Sequence, residues 1–335
     1  MNTPAPGPLL TEADLTTDAS GQSASLRYGD IYASRAGALG QARAVYLQGC
    51  GLLDSPAGWA GQAQFTVLET GFGLGVNFLA TWAAWRADPR RCDRLHYVSV
   101  ELHPVRAADL LAHAPPELHA LAAELAALWP APVRGLHSIV LDSDRVHLLL
   151  AFGDAASLVP RLRLAADALY LDGFTPSRNP DMWTPTLFRA LARLTKPGAR
   201  AASYTVAHAV QKGLDQAGFT VELLAGWGGK QQRLQARFNP IWKRTRHTLP
   251  QPWPLGQRRH AVVVGAGITG AACAHALAQR GWTVEVLESG QHPAGGGSAM
   301  PAGLAHLQPS ADDNLLSRLS RAGMAALRRA LPADS

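Results

Sequence analysis

The segment Glu69-Thr-Gly71-Phe-Gly73-Leu-Gly75-Val-Asn77 follows a short β-branched run and precedes residues at helical spacing. Glycines at alternate positions let a backbone approach a ligand closely and take turns that a Cβ forbids. A pyrophosphate turn would read G-x-G-x-x-G, with its anion over the helix N-terminus. Here the spacing is G-x-G-x-G, and an acid, Glu69, stands two residues ahead. That acid would repel pyrophosphate. It would pair with an ammonium, and the methionyl amine of S-adenosylmethionine is one, on a ligand without phosphate. Glu101 closes the next strand-like run, suited to ribose hydroxyls. Asp154, in Phe152-Gly-Asp154, follows the third, near an adenine edge. A single acid at a strand end is usually a solvated cap, and the glycines can serve packing alone. Three acids in register after successive strands favour a cofactor site of Glu69, Gly71, Gly73, Gly75, Asn77, Glu101 and Asp154.

The acceptor should lie after the fourth strand, at Asp172-Gly-Phe-Thr-Pro176. If the acceptor is an amine, transfer is an in-line displacement by a neutral lone pair. Asp172 would accept its N–H, and the face of Phe174 would stabilise the developing ammonium. Catalysis is then mostly positioning, because a sulfonium methyl is already activated. The structural alternative makes Asp172 a turn cap and Phe174 core. Arg178 and Lys230 fall in loops on the ligand side of the sheet and are candidate phosphate contacts. Met182 and Trp183 are expected to pack a helix start. Histidines such as His137 and His208 are not at metal-ligand spacing, so no metal is expected.

A second glycine turn has a different spacing. Gly265-Ala-Gly267-Ile-Thr-Gly270 lies between the strand-like His260-Ala-Val-Val-Val264 and a helical segment. Thr283-Val-Glu-Val-Leu-Glu288 then ends in an acid suited to an adenosine ribose. This is the FAD or NAD pattern, held by Gly265, Gly267, Gly270 and Glu288. Only 70 residues follow Gly265, too few for two βαβ halves and a substrate domain.

The elements that must carry these motifs alternate. Strands are expected at 65–69, 95–101, 146–152, 168–172 and 199–205, helices at 77–86, about 109–128, 181–195 and 207–217, and a terminal hairpin at 219–224 and 233–238. Alternation implies right-handed crossovers and a mainly parallel, doubly wound α/β sheet. Four segments are expected: an N-terminal extension at 1–58, a methyltransferase domain at 59–245, a Pro-rich linker at 246–258, and a partial dinucleotide-binding unit at 259–335.

With 335 residues, 47% hydrophobic and 17% charged, the chain has enough apolar surface for a core and is not disordered. The net charge of +6 allows a polyanionic partner without demanding one. Three scattered cysteines and no signal-like N-terminus suggest a cytoplasmic protein. The apolar run 261–278 contains spaced glycines, Thr269 and His275, and is better explained by a strand, turn and helix than by a membrane span.

Together these motifs resemble the bacterial bifunctional tRNA 5-methylaminomethyl-2-thiouridine biosynthesis proteins (MnmC type). The resemblance rests on Asp30-Ile-Tyr-Ala-Ser34, Val45-Tyr-Leu-Gln-Gly49, the Glu69–Phe78 turn, Leu95–Glu101, Leu171-Asp-Gly-Phe-Thr-Pro176, Asn179-Pro-Asp-Met-Trp183 and the Gly265 fingerprint. It implies a Rossmann-like class I S-adenosylmethionine-dependent methyltransferase followed by a partial FAD-type βαβ unit. It further implies tRNA as partner and N-methylation of 5-aminomethyl-(2-thio)uridine at the wobble position. The FAD-dependent removal of a carboxymethyl group is expected to be lost by truncation. Departures from the family pattern stand at Cys50, Arg178, Gln231-Gln-Arg-Leu234 and Met300. The competing expectations are a methyltransferase of small amines and an inactive nucleic-acid-binding remnant.

Overall fold

Strands covered on both faces read as continuous apolar runs, and edge strands as alternating ones. Both kinds occur in the computed structural model, which describes residues 7, 9–18, 21–54, 58–241, 249–250 and 259–330. The chain divides into two units, 1–251 and 252–335. The described residues of 7–54 belong to the same unit as the main sheet. Apart from 249–250, the expected Pro-rich linker 246–258 lies outside the described residues.

The first unit opens with a small antiparallel sheet, Leu15–Thr17 (β1), Ser23–Ser25 (β2) and Asp30–Ile31 (β3). Helix Ala38–Gln41 (α1) follows and runs into a wider π-helical segment over Ala42–Leu47. The main sheet is built from Gln64–Glu69 (β4), Arg94–Glu101 (β5), Gly135–Leu141 (β6), Val146–Phe152 (β7), Ala166–Tyr170 (β8), Thr195–Ser203 (β9), Phe219–Ala225 (β10) and Gln232–Phe238 (β11). Its order is β10-β11-β9-β8-β4-β5-β7-β6. β4 pairs in parallel with both β5 and β8, and β7 and β9 extend the parallel core on either side. β6, β11 and β10 are antiparallel additions. The chain reverses direction across the sheet between β4 and β8, and at such a switch point the strand ends leave a crevice for ligands.

Crossover helices cover both faces. Val76–Ala87 (α2), Ala107–Ala112 (α3) and His119–Ala127 (α4) lie on one side, Ala155–Leu158 (α5), Pro185–Leu194 (α6) and His208–Gln216 (α7) on the other. Beneath α2 an aromatic core of Trp59, Phe78, Trp82, Trp85 and Tyr97 is fully buried, each side chain contributing about 2–3 kcal/mol.

The structure corrects several expected boundaries. The helix expected over about 109–128 is broken at Pro115-Pro116, because proline cannot donate to a helical carbonyl. The helix expected from 181 begins at Pro185. Thr184 caps it, its hydroxyl accepting from the Leu187 N–H at 3.2 Å, and Pro180–Trp183 forms a separate 3-10 turn. β9 starts at Thr195, running through Lys196-Pro-Gly198 with a register shift opposite Ala166–Ala168. β6 and the N-terminal sheet were not expected.

The second unit contains His260–Val264 (β12), Ile268–Gln279 (α8), Thr283–Leu287 (β13) and Leu315–Ala330 (α9), with β12 and β13 parallel. Among its described residues no apolar side chain is buried, and Val264 and Ile268 are 84% and 73% exposed.

Candidate active site

A cavity of about 710 Å³ lies beyond the carboxyl ends of β4, β5, β7 and β8. Its size is that of a small-molecule site. It is lined from the glycine turn, from Glu101, Asp154 and Asp172 at strand ends, and from the N-terminal segment.

The glycine turn is shaped as alternate glycines require. Gly73 (φ +53°) and Gly75 (φ +74°) are left-handed, and Gly75 caps α2. A Cβ on Gly75 would meet the Phe72 ring at 2.8 Å, and one on Gly71 would lie 3.2 Å from the Asp172 carbonyl oxygen. The Gly73 N–H donates to Glu101 Oε2 at 2.9 Å, and the His103 N–H donates to Oε1 at 2.8 Å. Glu101 therefore ties the turn to β5 while facing the cavity. Asp154 also lines the cavity and caps α5, accepting from the Ser157 N–H at 2.8 Å and the Ser157 hydroxyl at 2.7 Å.

Glu69 is not where a direct partner of a ligand ammonium would sit. Its side chain is fully buried and does not line the cavity. It turns toward α2 and β5, where Asn77 Nδ2 donates to Oε1 at 2.9 Å and the Ser99 hydroxyl donates to Oε2 at 2.8 Å. Burial first, and the charge of Asp172 second, push its pKa up to about 8. Gly75, too, shapes the turn from outside the cavity wall.

Asp172 does reach the cavity. Its Oδ1 accepts from the Gly173 N–H at 2.8 Å and its Oδ2 from Asn77 Nδ2 at 2.6 Å. Burial raises its pKa, while the Gly173 N–H, the neighbouring Tyr46 hydroxyl, the Asn77 amide and the nearby Lys230 oppose the rise. Asn77 thus joins the last residue of β4 to the segment after β8. Phe174 lines the same cavity. Tyr28 stacks on its ring at 4.6 Å between centroids, and Tyr32 meets its edge at 5.1 Å. Lys230 and Arg178 are exposed residues of the cavity wall, and the Lys230 ammonium stands 4.2 Å from the centroid of Tyr204. Trp183 is buried as expected of a packing residue, its indole N–H donating to the Phe174 carbonyl at 2.9 Å. Met182 packs against the same cluster but also lines the cavity.

Sequence reasoning missed the N-terminal contribution of Tyr28, Asp30 and Tyr32. The Asp30 carboxylate accepts from both the N–H and the hydroxyl of Thr175, which fastens the N-terminal sheet over the segment after β8. The only available signal was Asp30-Ile-Tyr in the resemblance. Tyr204, whose hydroxyl donates to the Gly173 carbonyl at 2.8 Å, had no signal.

The second glycine turn is formed locally. Gly265 has φ +98°, and a Cβ on Gly270 would meet the Gly265 oxygen at 1.8 Å, so no side chain is tolerated there. Gly267 caps α8, and the Ile268 N–H is taken by the Ser298 hydroxyl at 3.0 Å. Glu288 accepts from the Ala266 N–H at 2.7 Å and the Gly290 N–H at 3.1 Å, and these donors hold its carboxyl down to about 2. Among the described residues there is no cluster of metal-ligating side chains. None of their helices is long and apolar enough to cross a membrane.

Comparison with known proteins adds to this geometry. A family model described as S-adenosyl-L-methionine-dependent methyltransferase matches residues 116–239, and one described as FAD dependent oxidoreductase matches residues 260–335. The chain is 49% identical, over 94% of its length, to a protein of Cupriavidus necator named tRNA 5-methylaminomethyl-2-thiouridine biosynthesis bifunctional protein MnmC. A Ralstonia nicotianae protein of the same name is 49% identical over 96% of the chain. In both cases the match covers 48% of the relative, so the chain spans about half the length of the curated relatives it matches. A crystal structure titled MNMC2 from Aquifex aeolicus superimposes with a TM-score of 0.55 at 20% identity, covering 69% of this chain and 73% of that one. It supports the fold.

Proposed function

We propose that this chain, a relative of the tRNA 5-methylaminomethyl-2-thiouridine biosynthesis bifunctional proteins over about half their length, is an S-adenosylmethionine-dependent methyltransferase. Its substrate is the exocyclic amine of 5-aminomethyl-(2-thio)uridine at the tRNA wobble position. The observation that carries the reading is Asp172, a carboxyl at the switch-point crevice. It is aimed by Gly173 and Asn77 into a cavity that also bears the Phe174, Tyr28 and Tyr32 rings. The bound cofactor supplies a methyl group already activated as a sulfonium.

The cofactor fits the residues present. The left-handed Gly73 and the tight Gly71 leave backbone where a side chain would intrude, and Glu101 and Asp154 offer acceptors to hydroxyls and an amine edge. Asp172 accepts an N–H of the neutral substrate amine and orients its lone pair for in-line attack. The aromatic faces then stabilise the ammonium that forms. The exposed Arg178 and Lys230 contact tRNA phosphate.

Incubating the chain with tRNA that bears the unmethylated amine and with S-adenosylmethionine should add one methyl group to the wobble nucleoside, read by mass spectrometry. No added methyl on tRNA, together with methylation of free small amines, would assign the site to a different substrate. Salt-dependent retention of tRNA in a gel should accompany activity.

The glycine turn of the second unit fits the phosphate part of an FAD, with Gly265, Gly267 and Gly270 at the turn and Glu288 facing a ribose. The two-stranded sheet leaves Val262, Val264, Ile268 and Leu287 exposed instead of packed. Among the described residues nothing walls in a flavin ring. The purified chain is therefore expected to carry no stoichiometric flavin absorbance and to leave a carboxymethyl group on substrate tRNA intact. A yellow protein with turnover would refute this.

A further inference from the structure

One amide side chain serves two carboxyls in this site. Asn77 Nδ2 donates to Glu69 Oε1 at 2.9 Å and to Asp172 Oδ2 at 2.6 Å. Both hydrogens of the amide are therefore committed, and its orientation is set. Glu69 also accepts from the Ser99 hydroxyl at 2.8 Å and lies against the Tyr97 hydroxyl, and among the described residues it has no ion pair.

Two like charges held on either side of a single amide in a buried site are costly to ionise together. The surroundings decide which of them keeps the proton. Glu69 is sealed from solvent, and the titratable groups facing it are Asp172, Tyr46, Tyr97 and Tyr170. None of these is a cation, and burial keeps all three phenols protonated. Asp172 instead opens on the cavity, accepts the Gly173 N–H and feels Lys230.

We infer that Glu69 holds the proton of this pair and, through Asn77, is the positioning residue that keeps Asp172 ionised and aimed at the substrate amine. This rests on the methyltransferase reading for its catalytic consequence. The protonation itself does not. A neutral Glu69 is not the partner of the cofactor's ammonium. Its place in the glycine-turn motif is explained by what it does to Asp172.

The sign of the stability effect follows. Between the ordinary glutamate value and about 8 the folded chain holds a proton that the unfolded chain has released. The associated stability is fully present below the ordinary value and is lost as pH rises through the folded one. Three measurements test the inference on the full chain. In an infrared titration, wild type should show a protonated carboxyl band at neutral pH that Glu69→Gln removes. The fall in Tm from about pH 6 to about pH 9 should be smaller for Glu69→Gln than for wild type. By calorimetry, Glu69→Gln should bind S-adenosylhomocysteine within about threefold of wild type, whereas Glu69→Ala should lower kcat by about tenfold or more with little change in KM.

Absence of the protonated band, an unchanged Tm slope, or a loss of affinity of about tenfold in Glu69→Gln would overturn it. The infrared and thermal measurements need neither cofactor nor tRNA. A wild-type chain that fails to bind S-adenosylhomocysteine would instead remove the methyltransferase reading.

Discussion

Asp172→Ala should lower kcat for methyl transfer by roughly 10²–10³-fold, about 3–4 kcal/mol in the barrier. S-adenosylhomocysteine should bind it nearly as well as wild type. The reason is where the carboxyl stands. Gly173 and Asn77 fix both of its oxygens, so an amine that donates to Asp172 finds the acceptor already oriented, with no reorganisation at the moment of reaction. Removing it also leaves one Asn77 hydrogen unpaired, and the neighbouring Glu69 loses the like charge that helps keep it protonated. Asp172→Asn separates these effects. It keeps the shape and removes the charge, and its kcat should fall almost as far. Near-normal turnover in both variants would show that Asp172 only caps the turn at Gly173.

Gly73→Val should abolish measurable cofactor binding. Gly73 is left-handed at φ +53°, a region that costs an L-residue about 1–2 kcal/mol and a β-branched one more. A Cβ there would only touch the Tyr32 ring, at 3.4 Å, so the cost lies in the backbone. Leaving the left-handed region moves the Gly73 N–H off Glu101, the bond that ties the glycine turn to the end of β5. The effect should therefore exceed what side-chain volume alone would cause. Titration calorimetry with S-adenosylhomocysteine is the check, and wild-type affinity would mean that the turn does not form the cofactor wall.

Much of the sheet was legible because of burial on two faces. β4, β5, β7 and β8 are buried along most of their length because helices cover both sides, and the short apolar or β-branched stretch each carries reads as an inner strand even where, as in β4 and β5, polar residues interrupt it. β6 escaped notice for the opposite reason. It is an edge strand, pairs only with β7 and alternates between exposed and buried positions from Gly135 onward. The N-terminal strands are two or three residues long and carry no periodic pattern to detect.

The same division runs through the site. Residue type and spacing located both glycine turns, the acids at the strand ends, and the segment of Asp172 and Phe174, which lines the cavity. These features are local: a left-handed glycine, a strand terminus and the turn after it are properties of a few consecutive residues. What Glu69 faces was not local. A strand side chain points to one side of the sheet or the other, and α2 and Ser99 of β5, which receive it, are brought there by the packing of the whole unit. The enclosure of Phe174 was equally out of reach. Tyr28 and Tyr32 arrive through the bond between Asp30 and Thr175, residues 145 apart in the chain. Sequence alone therefore determined which chemistry is available at the ends of the strands. The tertiary structure decided which acid meets the ligand and which is buried to hold a proton, because desolvation and contact depend on neighbours that the chain supplies from far away.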